Sequence, residues 1–137
     1  MTRTYHPDGS PPADDQIFVF GSNLSGFHGG GAAKAAHHHY GAQWGVGVGP
    51  TGRCYALPTV KHHISGPLLL DDIESFIWRF LEYARANLNT QKFFVTRVGC
   101  GLAGYEDKDI APMFADAPAN CSLPDTWAPF FTDQTTS

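Results

Sequence analysis

The strongest apolar pattern in the chain is "LDDIESFIWRFLEYARANL" (70–88), where Ile73, Phe76, Ile77, Phe80, Leu81, Ala84 and Leu88 recur at the three- and four-residue spacing of a helix with one buried face. Asp71 or Asp72 can cap its start. Two shorter apolar runs predict strands, "QIFVF" (16–20) and "KFFVTRV" (92–98). The second lacks strict alternation and is expected in the middle of a sheet covered on both sides. "GAAKAAHHHYG" (31–41) joins strong helix formers to an apolar face of Ala33, Ala36 and Tyr40 and stops at Gly41. After it, alternating residues flank a Pro-Thr-Gly turn at 50–52, which predicts a hairpin with strands near 43–48 and 53–57. "DIAPMFADA" (109–117) predicts a short helix with Pro112 in its first turn, and "ANCSLP" a last strand. The order is strand, loop, helix, two strands, helix, strand, loop, helix, strand. That order predicts an α/β fold, a three-layer α/β/α sandwich with a central mixed sheet. Residues 1–15 and 124–137 are polar and are expected as a flexible N-terminal segment and a C-terminal tail around a domain of 16–123.

Two glycine-rich loops follow predicted strand ends, where open α/β sheets bind ligands. The second, "RVGCGLAGYEDKD" (97–109), contains Gly-x-Gly-x-x-Gly after an apolar strand. A Rossmann dinucleotide site would need further βα units after that loop, and too little chain follows Gly104. Glu106, Asp107 and Asp109 also suit the start of a helix but would repel a phosphate placed there. The first loop, "VFGSNLSGFHGGGAAK", passes Asn23 and reaches three glycines at a helix N-terminus without one acid. Its free N–H groups and the positive end of the helix dipole suit an anion, and Asn23 can bond sugar hydroxyls. Gly29, Gly30 and Gly31 could equally serve only to turn and pack the chain.

Composition narrows the partners. The chain has 137 residues, enough for a single core without metal or disulfide staples. Charged residues make up 16% and Lys plus Arg only 9, with a net charge of −4, so direct nucleic-acid binding is not expected. Any anion has to be held locally. No run approaches membrane-spanning length, no signal-peptide core opens the chain, and the 3 cysteines are scattered. A reducing cytoplasm is the expected location, with no membrane partner.

Taken together, "VFGSN…HGGGAAKAA…YGA", "YALPTVK" and "VTRVGCGLAGY" followed by a helix resemble the macro domain, the ADP-ribose-binding module. The resemblance spans about residues 16–123, and its motifs agree in order and spacing. "RVGCGL" is nearest to the branch that removes ADP-ribose from acidic side chains. The resemblance implies an ADP-ribosyl hydrolase or a non-catalytic ADP-ribose binder, without a cofactor. It implies that Asn23, His28, Gly29, Gly30 and Gly31 bind the ligand from the first loop. From the second it implies Gly99, Cys100, Gly101, Leu102, Ala103, Gly104 and Tyr105.

The same branch pairs a strand-end lysine with an aspartate in the glycine loop. Lys61 in "LPTVK" matches the lysine, but "GCGL" is followed by Ala103. The nearest acids are Glu106 and Asp107, which makes Asp107 the candidate partner of Lys61 in catalysis. The family's adenine-reading acid has Asp14 or Asp15 as candidates. A solvated Lys61 without a chemical role is the competing reading. His37, His38 and His39 project about 100° apart on one helix and cannot meet on one ion, so no metal is expected. Cys100 reads as a small residue filling a tight loop or as a nucleophile. Trp44, Trp78 and Trp127 read as core or as stacking platforms. An unrelated phosphate-ligand domain sharing the glycine loops is a third class.

Overall fold

Side-chain alternation along three neighbouring strands divides the core into two. In the computed structural model, which describes residues 3–62 and 66–131, these strands are β2 (Gln16–Asn23), β4 (Cys54–Val60) and β5 (Lys92–Val95). Phe18, Phe20, Cys54, Ala56 and Phe94 face one way and meet Ala33 and Ala36 of helix α1 (Gly31–Tyr40). Val19, Tyr55, Leu57, Phe93 and Val95 face the other way. There they meet Ile73, Ile77, Phe80, Leu81 and Ala84 of helix α2 (Leu70–Ala86). Period-two strands between period-3.6 helices give the expected three layers. Alanines on α1 let that helix lie close to the aromatic face of the sheet.

The remaining elements are β1 (Thr4–His6), β3 (Gly49–Thr51), β6 (Cys121–Pro124) and a short helix α3 (Asp107–Ile110). The sheet runs β1, β6, β5, β2, β4, β3. Every pairing is parallel except β3 with β4, so the sheet is mixed. Among the described residues no helix is long and apolar enough to cross a membrane.

Several expected boundaries move. The strand expected near 43–48 does not form; only Gly49–Thr51 pairs with β4. The segment before it packs on the first loop instead, where a Cβ at Gly47 would lie 2.2 Å from the Asn23 carbonyl oxygen. The helix expected over 109–117 begins two residues earlier, with a capping box between Glu106 and Asp109. It tightens to a 3₁₀ turn over Ala111–Phe114 around Pro112. Parts of both expected loose ends belong to the fold. β1 adds an edge strand beside β6, and Trp127, fully buried in a 3₁₀ turn over Asp125–Phe130, packs 4.9 Å from the Phe114 ring. Polar flanking residues conceal these apolar anchors in the composition of the ends.

One carboxylate joins three of these segments. Asp107 Oδ1 and Oδ2 accept from Arg97 Nε and Nη2 at 2.9 and 3.0 Å, a bidentate pair. The Trp127 indole donates to Oδ1 at 2.8 Å, and the Cys100 thiol approaches the same oxygen at 3.4 Å. Burial by itself would raise the Asp107 carboxyl, but the bonds from Arg97, Trp127 and Cys100 outweigh it and hold the group below its ordinary 3.8. A lowered carboxyl stabilises the fold above its unfolded value and loses that contribution as pH falls through the folded one. Asp107→Asn should therefore cost about 2 kcal/mol at neutral pH, lowering Tm by roughly 5–10 °C. Its melting temperature should also fall less steeply than that of the wild type on acidification below about pH 4. Parallel acid titrations of the two melting curves would contradict the assignment.

Candidate functional site

The C-terminal ends of β2, β4 and β5 open into a cleft of about 870 Å³ between the two glycine loops. Its first wall starts at Asn23, where the β2 register with β4 shifts. The Asn23 side chain closes the turn on itself, accepting the Phe27 N–H at 2.9 Å and donating to the Phe27 carbonyl at 2.8 Å. Asn23 lines the cleft, but its amide is engaged at both ends. Gly26 needs a φ of +71°, and a Cβ there would lie 2.4 Å from the Gly45 backbone. The turn is thus pressed onto segment 43–47, and the Ser22 hydroxyl donates to the Gly47 carbonyl at 2.5 Å.

Gly29, Gly30 and Gly31 then line the cleft as α1 begins. No side chain caps the helix and no acid sits in its first turn, which leaves an uncompensated positive end. The positive φ falls on Gly31 at +57°, while Gly30 is extended at −155°. His28 lies beneath the loop and outside the cleft lining. It is 1% exposed, donates from Nε2 to the Gln43 carbonyl at 2.8 Å, and packs edge-on against Phe20.

The second wall follows β5. Gly99 has φ +79° and its absent Cβ would meet Ile110 at 2.9 Å, so glycine is required there by both conformation and space. The Tyr105 N–H closes the loop on the Gly99 carbonyl at 2.9 Å. Gly99, Cys100, Gly101, Leu102 and Ala103 line the cleft; Gly104 and Tyr105 do not. The Tyr105 hydroxyl is committed to the Leu68 carbonyl at 2.6 Å. Leu102 is 83% exposed and reaches toward the opposite loop, within 4.0 Å of where a Gly30 Cβ would stand. The Cys100 thiol is pushed up to about 12, first by burial and then by its bond to Asp107, which is the opposite of an activated nucleophile.

One end of the cleft is aromatic. Phe18 stacks with Tyr40 at 4.7 Å, and His6 stacks on Phe94 at 3.7 Å. The His6 Nδ1 meets the Ser122 hydroxyl at 2.7 Å. Burial lowers the His6 imidazole, against the opposing pull of the Val95 carbonyl and of Asp125 and Asp8, so the ring is uncharged at neutral pH. The segment from Asp8 to Pro12 walls this end, and Asp8 stands 3.5 Å from Arg97 Nη1. Sequence reasoning missed Asp8 and His6 because residues before 16 read as loose. Asp15 instead pairs with Lys92 at 3.2 Å, and neither Asp14 nor Asp15 lines the cleft.

Lys61 and Asp107 do not come together in the cleft lining. Lys61 is exposed just beyond β4, its ammonium engaged by no hydrogen bond or ion pair among the described residues. Asp107 is held behind the second loop by Arg97 and Trp127. Of the tryptophans, Trp127 is core, Trp78 is exposed on α2, and Trp44 is half exposed against Phe27. Among the described residues no three His, Cys, Asp or Glu side chains converge as a metal site. The His37 nitrogens are both occupied, by the Ala42 carbonyl at 2.7 Å and by the Trp44 indole at 2.9 Å. The chain from residue 16 to 70 carries no Asp or Glu although the protein has 13, so the first wall is free of carboxylates.

No protein-family profile matches the chain, and no curated protein matches it. Among solved structures it is similar to the macrodomain of Mycobacterium tuberculosis DarG, with a TM-score of 0.63 and 19% identity. The match covers 90% of this chain and 97% of that one. At this identity the likeness concerns architecture: the chain has the fold of a macrodomain.

Proposed function

We propose that the cleft binds ADP-ribose or a related ADP-ribosyl nucleotide and that the chain hydrolyses ADP-ribosyl conjugates. One observation carries the reading: residues 29–31 and 99–103 face each other across a single cleft that is aromatic at one end. The uncapped start of α1 suits a diphosphate, whose charge the N–H groups and the dipole would compensate. His6, stacked over Phe94, offers a ring face to a purine, with Phe18 and Phe94 as the apolar floor beneath. The base-reading acid is assigned to Asp8, because it alone among Asp8, Asp14 and Asp15 lines the cleft. The terminal ribose then lies beside Asn23 and the end of β4. Asn23 contributes by holding its turn in shape, since its amide is already bonded.

An attack by the Lys61 amine would require desolvation and a carboxylate to accept its proton. Lys61 is exposed, and Asp107 is committed to Arg97 and Trp127. Hydrolysis by a water held over the ribose is the better supported route, with Lys61 contributing charge. The same commitment of Asp107 favours the second reading, a binder without turnover.

ADP-ribose at about 100 times its Kd should stabilise the fold by roughly 2.7 kcal/mol in thermal unfolding. Stabilisation by inorganic phosphate but not by ADP-ribose would remove the reading. Gly101→Val should fold normally, since a Cβ at Gly101 meets nothing within 4 Å, yet lose at least about tenfold in ADP-ribose affinity by calorimetry. Unchanged affinity would make the second loop purely structural. Lys61→Ala should keep turnover of ester-linked ADP-ribose within about tenfold of the wild type, whereas a loss of about a hundredfold or more would restore the lysine route.

A further inference from the structure

Ser10, Ser22, Thr59 and Thr96 line the cleft, and three of these hydroxyls are engaged within the fold. Ser10 donates to the Pro7 carbonyl at 2.6 Å, Ser22 to that of Gly47 and Thr96 to that of Val19 at 2.8 Å. Thr59 is the exception: its hydroxyl has no hydrogen-bond partner among the described residues, although the residue is only 3% exposed. A buried hydroxyl without a partner is costly, so one left free on the wall of a cleft marks a place where a ligand can accept from it. Thr59 is also the extra residue of a β-bulge, since Ser22 is registered against Pro58 and Asn23 against Val60. Bulges of this kind re-aim a side chain out of the regular alternation. Two glycines border the hydroxyl. Gly21, inside β2, has no positive φ and so does not need to be glycine for its backbone. A Cβ there would stand 3.2 Å from Thr59 Oγ1 and 3.7 Å from the Gly99 nitrogen. Glycine in a strand interior weakens the strand and marks a place kept clear. The Gly99 N–H donates to no acceptor among the described residues, and Gly21 and Gly99 line the cleft with Thr59. Two donors therefore flank one bare patch.

We propose that Thr59 Oγ1 and the Gly99 N–H together hold one phosphoryl oxygen of the ligand, in a hole that Gly21 keeps open; this rests on the nucleotide-binding reading of the cleft. A phosphoryl oxygen is an anionic acceptor with lone pairs for both donors, whereas a ribose hydroxyl would bring a proton of its own that neither group needs. Thr59 stands one residue before the end of β4, beside the place assigned to the terminal ribose, so the phosphoryl held is the one next to that sugar. The contact comes from a side chain on a strand, not from the backbone of either glycine loop. One substitution can therefore remove it without disturbing a loop.

Calorimetry with ADP-ribose and with ADP, on the full chain, tests the hole. Thr59→Val keeps the branched shape and removes only the hydroxyl, so without ligand it should melt no lower than the wild type. It should lose about ten- to hundredfold in affinity for both ligands. Thr59→Ser, which keeps the hydroxyl, should stay within about threefold of the wild type. Gly21→Ala should weaken both ligands by a similar factor, and the double variant by little more than either single one, because both changes act on the same oxygen. Unchanged ADP-ribose affinity in Thr59→Val overturns the hole, as do additive losses in the double variant. A lowered melting temperature of unliganded Thr59→Val would make the hydroxyl structural and overturns it as well. A loss confined to ADP-ribose would set the hydroxyl against the ribose and overturns the phosphoryl assignment. Wild-type protein that binds ADP-ribose but not ADP does the same, since a held phosphoryl should contribute without the sugar. Absence of ADP-ribose binding by the wild type removes instead the nucleotide reading on which the hole rests.

Discussion

A partly buried carboxylate has to be satisfied by donors, and in this protein the requirement at Asp107 ties together segments far apart in sequence. Its two oxygens take the Arg97 guanidinium, the Trp127 indole and the Cys100 thiol. Arg97 begins the second glycine loop, Asp107 begins α3, and Trp127 anchors the segment after β6. The guanidinium reaches further, to Asp8 on the arch between β1 and β2. The second glycine wall of the cleft and its aromatic end therefore share an anchor. Removing the carboxylate would leave a part-buried guanidinium and an indole N–H without their acceptor. The same demand leaves both carboxylate oxygens engaged within the fold.

Charge layout follows a similar economy. The molecule carries an excess of acid overall, yet the chain forming the first wall has none between residues 16 and 70. An anionic ligand placed there would meet N–H groups and a helix dipole without repulsion from side chains, and the field of the remaining charges is diluted by distance and solvent. Glycine is used in two distinct ways around this wall. Gly26, Gly47 and Gly99 are needed because another backbone or Ile110 occupies the space of a Cβ. Gly101 faces open space, so packing does not require its bareness.

Much of the architecture could be read from the residues in order. The period of 70–88 placed α2 and its buried face, and the apolar runs at 16–20 and 92–98 placed the central strands, the second of which ends at Val95, because burial of one face or both imposes its period on any sequence that folds. The glycine loops were legible for a related reason: only a few residue types allow close backbone approach after a strand end. His28, Gly104 and Tyr105 belong to the same motifs but not to the cleft lining. Motif membership reports where the chain bends, while side-chain direction depends on which neighbour offers a partner, such as the Gln43 and Leu68 carbonyls.

The order of elements after β1, the helix and strand periods and the position of both glycine loops were determined by the sequence alone, since they arise from contacts within a few residues or from a repeating face. The partners of Asp107 and the arrival of Asp8 and His6 at the aromatic end were decided only by the tertiary structure. Each joins positions separated by up to 116 residues, as between His6 and Ser122. Such pairings carry no local signature, because the sheet order that brings β1 beside β6 is chosen by the global burial of apolar surface and not by any residue near either strand.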